Sequence, residues 1–437
     1  VSGAALDATG MEGLRTDQAP PLSIPTSFFL LAPLAMVASG ALLAWAGDGV
    51  FVTRWSPYAM AATHLGTLGF LGSIMLGALY QVIPVVAGAP VPGVRLAHAV
   101  HALFALGVVA LAVGLATGSA AWLTLAPALL GAAFTLFLPP VAVALVRAPT
   151  RGETVWGMRL AVLGLLGVAA LGAFMAMGRA GHLHVSGDWL AWVTAHAALG
   201  GVVWVGGLVT AVSWQVVPMF YLTPALPAWS RRATVAAVGF ALLAVPGALL
   251  GGGGPVAVSL GALPASVMVW WVHPAVALRA IQRRRRRRVD GSVRFWWAGL
   301  AAAPLLPILA AGALLGTDPR WSVALGWVFV WGWAGMIAHG MLTRIVPFLV
   351  WFHRYASLVG RVPVPTMRGL LPDGRIRAAV LLHASAVVVG GAAIASGSGL
   401  VARGAGLLLG ATGGLLALNL LHALAPRSLP DVPAPPA

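Results

Sequence analysis

Residues 64–84 read HLGTLGFLGSIMLGALYQVIP, a stretch apolar enough to lie in lipid that still opens on a histidine and closes on Tyr80, Gln81 and Pro84. Two further stretches align with it over 21 positions without a gap: ALGGVVWVGGLVTAVSWQVVP from Ala198 and WVFVWGWAGMIAHGMLTRIVP from Trp327. Phe70, Trp204 and Trp333 share a column, as do Gly72, Gly206 and Gly335, and then Gly77, Ala211 and Gly340. Tyr80, Trp214 and Thr343 follow, next Gln81, Gln215 and Arg344, and Pro84, Pro218 and Pro347 close the set. The stretches start 134 and 129 residues apart. Apolar segments agree by chance in leucine and alanine, much less in an ordered series of glycine, aromatic, amide and proline, so the chain reads as an internal repeat.

Hydrophobic residues make up 60% of the chain and charged ones 8%, with mean hydropathy +0.93. A soluble domain is about a quarter charged, so this is the composition of a polytopic membrane protein. Runs of about 20 apolar residues cross a bilayer. Such runs are read at 27–47, 57–86, 96–118, 120–146, 157–178, 189–222, 232–251, 255–278, 295–315, 321–351, 377–397 and 400–424. With both termini inside, 22 of the 26 arginines fall on the cytoplasmic side and only Arg54, Arg179, Arg320 and Arg403 outside, the asymmetry that the positive-inside rule requires. The net charge of +16, including the Arg283–Arg288 run, is thereby read as topology and contact with anionic lipid rather than as a nucleic-acid surface. There is no cysteine, which excludes disulfides, thiolate metal sites and iron–sulfur clusters.

The three related stretches are spans 2, 6 and 10. The expected fold is therefore all-α: twelve transmembrane helices as three four-helix arcs, 27–147, 157–278 and 295–424. A 1–26 cytoplasmic leader without the apolar core of a signal peptide, an Arg-rich loop at 279–294 and a cytoplasmic tail at 425–437 complete the chain. An even number of helices per arc sends successive repeats into the membrane in the same direction, giving pseudo-threefold symmetry about the membrane normal rather than an inverted repeat. The glycine column offers each inner helix a point of close backbone approach to a neighbour.

This plan resembles the large subunit (subunit I) of the haem–copper oxidase superfamily, nitric oxide reductases included. His64 precedes Pro84 by 20 residues, with Gly77 and Tyr80 between and Gly88 after, as in the family's histidine-bearing inner helix. His196 precedes Pro218 by 22, the place of the first member of the family's His-x-His pair, with Ala198 in the second. The twelve-helix NnrS-like haem and copper proteins of nitric oxide metabolism are a second resemblance, without their His-x-His-Glu signature. The likeness implies a haem-binding protein of respiratory electron transfer or nitric oxide metabolism in a bacterial-type inner membrane, with cytochrome or other respiratory subunits as partners. Span 7, RRATVAAVGFALLAVPGALLG, lacks the family's copper-binding histidines, and Leu325 and Trp327 stand where span 10 would carry its pair. The family's oxygen-reducing copper site is therefore not expected to be complete. All ten acidic residues fall in termini, loops or span edges, so no carboxylate relay for proton pumping is expected.

His64 and His196, at similar depth near the outer ends of spans 2 and 6, either ligate one haem b together or each bond a neighbouring carbonyl. His182 and His184, in the outer loop GHLHVSGDW, form a His-x-His suited to Cu(II) or Zn, or are solvated loop residues. Tyr80, Gln81, Trp214, Gln215, His339 and Arg344 are expected as a polar interior toward the cytoplasmic side. If the chain is an enzyme it is an oxidoreductase. The alternatives are a copper, haem or small-solute transporter and a cofactor-free assembly or structural subunit. No phosphate-binding loop or nucleophile elbow supports ATP-driven or hydrolytic chemistry.

Overall fold

The computed structural model describes residues 18–285 and 291–427. Most of the leader, residues 286–288 of the arginine run and most of the tail lie outside the described residues. Among the described residues twelve helices are long and apolar enough to cross a membrane. They are α1 (Ser23–Val50), α2 (Pro57–Ala87), α3 (Val94–Thr117), α4 (Ala120–Arg147), α5 (Glu153–Arg179) and α6 (Trp189–Tyr221). The second half comprises α7 (Ala228–Leu250), α8 (Pro255–Gln282), α9 (Gly291–Leu315), α10 (Arg320–Leu358), α11 (Asp373–Ser396) and α12 (Gly399–Leu424). Their number is the one read from the sequence, and their ends run further. At 39 residues α10 is about 58 Å long, well beyond a hydrocarbon core of about 30 Å, and His353, expected after the span, lies within its last turns.

The helices that carry the repeat are the inner ones. In α2, α6 and α10 the most apolar window is 78%, 67% and 56% buried, against 50% or less in the other nine described spans. Apolar side chains on those nine meet lipid instead, as Leu243 (74% exposed) and Leu400 (81%) do. Each inner helix uses the same small-residue column to seat the helix just before it in the chain. A Cβ on Gly77 would lie 2.8 Å from Phe28 Cβ of α1, and one on Gly340 would lie 2.4 Å from Phe295 Cβ of α9. In α6 the column holds Ala211, whose Cβ would stand 2.4 Å from a Cβ on Gly157 of α5. In addition, α4 packs on α5, α8 on α9 and α12 on α1.

The α1–α12 contact sets backbone directly against backbone. A Cβ on Gly40 would stand 2.3 Å from the Gly410 nitrogen, and one on Gly406 2.3 Å from the Ala44 nitrogen. Arg403 of α12 donates to the Ala44 and Trp45 carbonyls, at 2.8 Å each, where α1 runs out of helical partners.

Each inner helix is interrupted by a long π-helical segment: Leu65–Gly72 in α2, Leu199–Gly206 in α6 and Val328–Ala334 in α10; two shorter ones lie at Ile83–Ala87 in α2 and Met268–Val272 in α8. The three long segments begin 19 residues before the aligned prolines Pro84, Pro218 and Pro347. The widened turn explains the glycine column in a way the sequence reading does not anticipate. A Cβ at Gly72, Gly206 or Gly335 would meet the carbonyl oxygen five residues earlier in its own helix, at 3.2 Å (Thr67), 3.0 Å (Gly201) and 2.3 Å (Val330). The i−5 carbonyl of a π turn points where a side chain would begin, so glycine is held by the turn itself as well as by neighbours such as Phe104 and Val269.

Candidate functional site

His64 is the last residue before the π-helical segment of α2, and His196 lies one turn before that of α6. The two half-buried rings face each other, with centroids 6.2 Å apart and planes inclined by 32°. His64 Nδ1 donates to the Met60 carbonyl at 2.8 Å, which leaves the lone pair on Nε2. His196 Nδ1 is buried and makes no hydrogen bond, although the Val168 carbonyl of α5 faces the ring. Gly172 makes room for it, since a Cβ there would come within 3.0 Å of His196 Cε1. Two imidazoles on opposite sides of one metal ion, each nitrogen about 2.0 Å from it, hold their centroids about 6.3 Å apart. The centroid spacing of the pair matches that value.

The third side of the pair is aromatic. Gly66, just past His64, lies against Val330 and Trp331 of α10, and Gly201 lies against Phe329. Trp331 packs on Phe70 at 5.5 Å, and Trp270 and Phe329 on Trp333 at 5.8 and 5.6 Å. Trp327, in the column of His64, turns away: its indole N–H donates to the Val387 carbonyl of α11 at 3.0 Å, and its ring fills the notch left by Gly390. The inner triad thus presents imidazole, imidazole and a tryptophan–phenylalanine wall.

The remaining polar positions are spread along the interior. Tyr80 is buried between Phe28 and Phe137, at 5.8 and 5.3 Å. Gln81 is buried with Oε1 unpartnered, Trp214 is buried, and Gln215 is half-buried. Arg344 reaches from α10 to α6, where its guanidinium donates to the Phe220 carbonyl at 3.3 Å and lies 5.7 Å from the Phe220 ring. His182 and His184 are exposed; His182 Nε2 meets Thr124 Oγ1 at 2.8 Å. The nearby Asp188 caps α6 by accepting from the Leu190 N–H at 2.8 Å. No three His, Asp or Glu side chains converge among the described residues; four of the interior histidines meet in two pairs, His64 with His196 and His339 with His383.

His339 belongs to the second pair, and its partner is one the sequence reading leaves unplaced. His383 of α11 lies with its Nδ1 3.1 Å from His339 Nδ1, and both residues are fully buried. His273, which the sequence puts at the inner end of span 8, is also buried, with Nε2 3.2 Å from Ser213 Oγ of α6. The Ser213 hydroxyl donates its own hydrogen bond to the Thr210 carbonyl at 2.6 Å. No protein family matches the chain, and no curated protein matches it in sequence.

Proposed function

We propose that this chain is a haem-binding integral membrane protein that passes single electrons, with His64 and His196 as axial ligands of one haem b. The observation that carries the reading is the 6.2 Å spacing of two imidazoles brought together by separate inner helices. A bound haem supplies one-electron exchange. The chain's own residues do the rest. The Met60 carbonyl fixes the His64 tautomer and raises the basicity of Nε2. Phe329 and Trp331 close the third side against water and lipid.

The wider reading is a diverged, non-pumping relative of the oxidase large subunit in a bacterial-type inner membrane, serving respiratory electron transfer or nitric oxide metabolism beside a cytochrome or other respiratory subunit. Three four-helix arcs about the membrane normal account for the equal offsets of the three π-helical segments and for the repeated seating of α2 on α1, α6 on α5 and α10 on α9. The arginine distribution supports both termini on the cytoplasmic side.

The test is a reduced-minus-oxidised spectrum and pyridine haemochrome assay on detergent-purified protein from a haem-competent host. About one haem b per chain is expected, lost in both His64→Ala and His196→Ala. A colourless wild type, or haem retained when both histidines are replaced, would overturn the proposal.

A further inference from the structure

A second pair of imidazoles lies about 18 Å further into the membrane than His64, twelve residues along the helical rise from its level. From its geometry we infer that His339 and His383 form a site for a monovalent copper ion. Two Nδ1 atoms 3.1 Å apart are held by one shared proton, so one ring donates and the other accepts. The donor then has a bare lone pair on Nε2 and the acceptor an N–H there, and neither Nε2 has a hydrogen-bond partner. Two polar atoms orphaned in a fully buried pair are an unfavourable resting arrangement. A cation between the Nδ1 atoms replaces the shared proton and puts an N–H on both Nε2 atoms. The Trp331 carbonyl already faces the His383 ring, ready to accept one of them.

The surroundings select the ion. Phe295 packs on His339 at 4.5 Å and on His383 at 6.3 Å, and the neighbouring buried cluster is Phe295, Met336, Leu371, Ile376, Ala379 and Val380. A divalent ion there would need carboxylates or a four-donor shell that this cluster does not supply. Cu(I) is monovalent and soft, accepts two imidazoles in a line, and takes a thioether as a third donor. Met336 sits one turn before His339 in the same cluster as Val380, which is one turn before His383. With metal–nitrogen bonds of about 2.0 Å the Nδ1 atoms must separate by a little under about 1 Å, within reach of ring rotation. The oxidase family's copper histidines belong to helices 6 and 7, so this position on α10 and α11 is a different one, and it does not depend on the haem reading.

The experiment is anaerobic Cu(I) loading of the full chain in detergent against bathocuproine disulfonate, with bound metal measured by mass spectrometry and X-ray absorption recorded at the copper edge. Wild type and the His64→Ala/His196→Ala double variant are expected to keep about one copper per chain, and His339→Phe and His383→Phe under about a tenth of that. The absorption spectrum should show two imidazoles in a two- or three-coordinate Cu(I) shell. Met336→Leu should raise the competitor's share at least about tenfold if the thioether binds. Wild type without copper, copper retained in both phenylalanine variants, or a four-coordinate or oxygen-rich shell would overturn the inference. Should the phenylalanine variants not fold, the wild-type absorption spectrum alone decides it. A colourless protein that still holds copper would separate failure of the haem proposal from failure of this one.

Discussion

Replacing the column glycines one at a time by alanine should destabilise the chain in the order Gly335, Gly206, Gly72. The new Cβ at Gly335 would lie 2.3 Å from the Val330 oxygen, so the carbonyl or the turn must yield by about 1.1 Å to reach ordinary contact at 3.4 Å. At Gly206 and Gly72 the corresponding separations are 3.0 and 3.2 Å, which a few tenths of an ångström relieve. Overpacking against backbone costs about 1–3 kcal/mol, and alanine returns about 0.5–1 kcal/mol of helix propensity. The net expectation is a loss of about 2 kcal/mol for Gly335→Ala, a few tenths of a kcal/mol for Gly206→Ala and close to nothing for Gly72→Ala. Gly332→Ala, inside the same π-helical segment but with only ordinary contacts from 3.4 Å outward, is the control and should be neutral or slightly stabilising. The 18 tryptophans make intrinsic fluorescence a direct reporter of thermal or SDS-induced unfolding in detergent. Equal midpoints for Gly335→Ala and Gly332→Ala would refute the claim that the i−5 carbonyl of a π turn is what excludes a side chain there.

Three other outcomes are expected from the same unfolding assay. Gly406→Ala should lower stability by about 1–2 kcal/mol because its Cβ meets Ala44 backbone at 2.3 Å, while Gly410→Ala, with nothing within 4 Å, should not. Ser213→Ala removes the partner of the buried His273 and should cost about 1 kcal/mol, near the upper range for hydrogen bonds between membrane helices. Gly390→Ala and Trp327→Phe should be strongly non-additive. The alanine Cβ would stand 2.1 Å from the outer indole ring, and a phenylalanine does not extend that far, so the double variant should be more stable than the summed losses predict.

The number of spans is legible because each is an uninterrupted apolar run, a property of local sequence that no tertiary contact has to supply. Burial of α2, α6 and α10 is legible too, since only helices shielded from lipid can carry Tyr80, Gln81, Gln215, His339 and Arg344 at matching positions. The π-helical segments are not, because hydropathy is blind to one extra residue per turn. Their trace in the sequence is the Gly72, Gly206 and Gly335 column, which the reading assigns to contact between helices instead. His383 escapes for another reason: 44 residues separate it from His339, and nothing near it in sequence hints at a companion. Likewise the arginines read as a topological signal have local partners that only three dimensions reveal. Arg403 caps α1, Arg159 donates to the Leu145 carbonyl near the end of α4 at 2.8 Å, and Arg320 pairs with Asp318 at 2.6 Å.

The contact between α12 and α1 also bears on how the molecule is made. Its Arg403–Ala44 hydrogen bond joins residues 359 apart in sequence, and its glycine surfaces press backbone on backbone. Of the described helices α1 is made first and α12 last, so the Gly40 surface waits for its partner while the ten helices between them are made. A chain that ends before α12 lacks this contact and leaves the Gly40 surface of α1 without the glycine backbone that packs on it in the finished molecule.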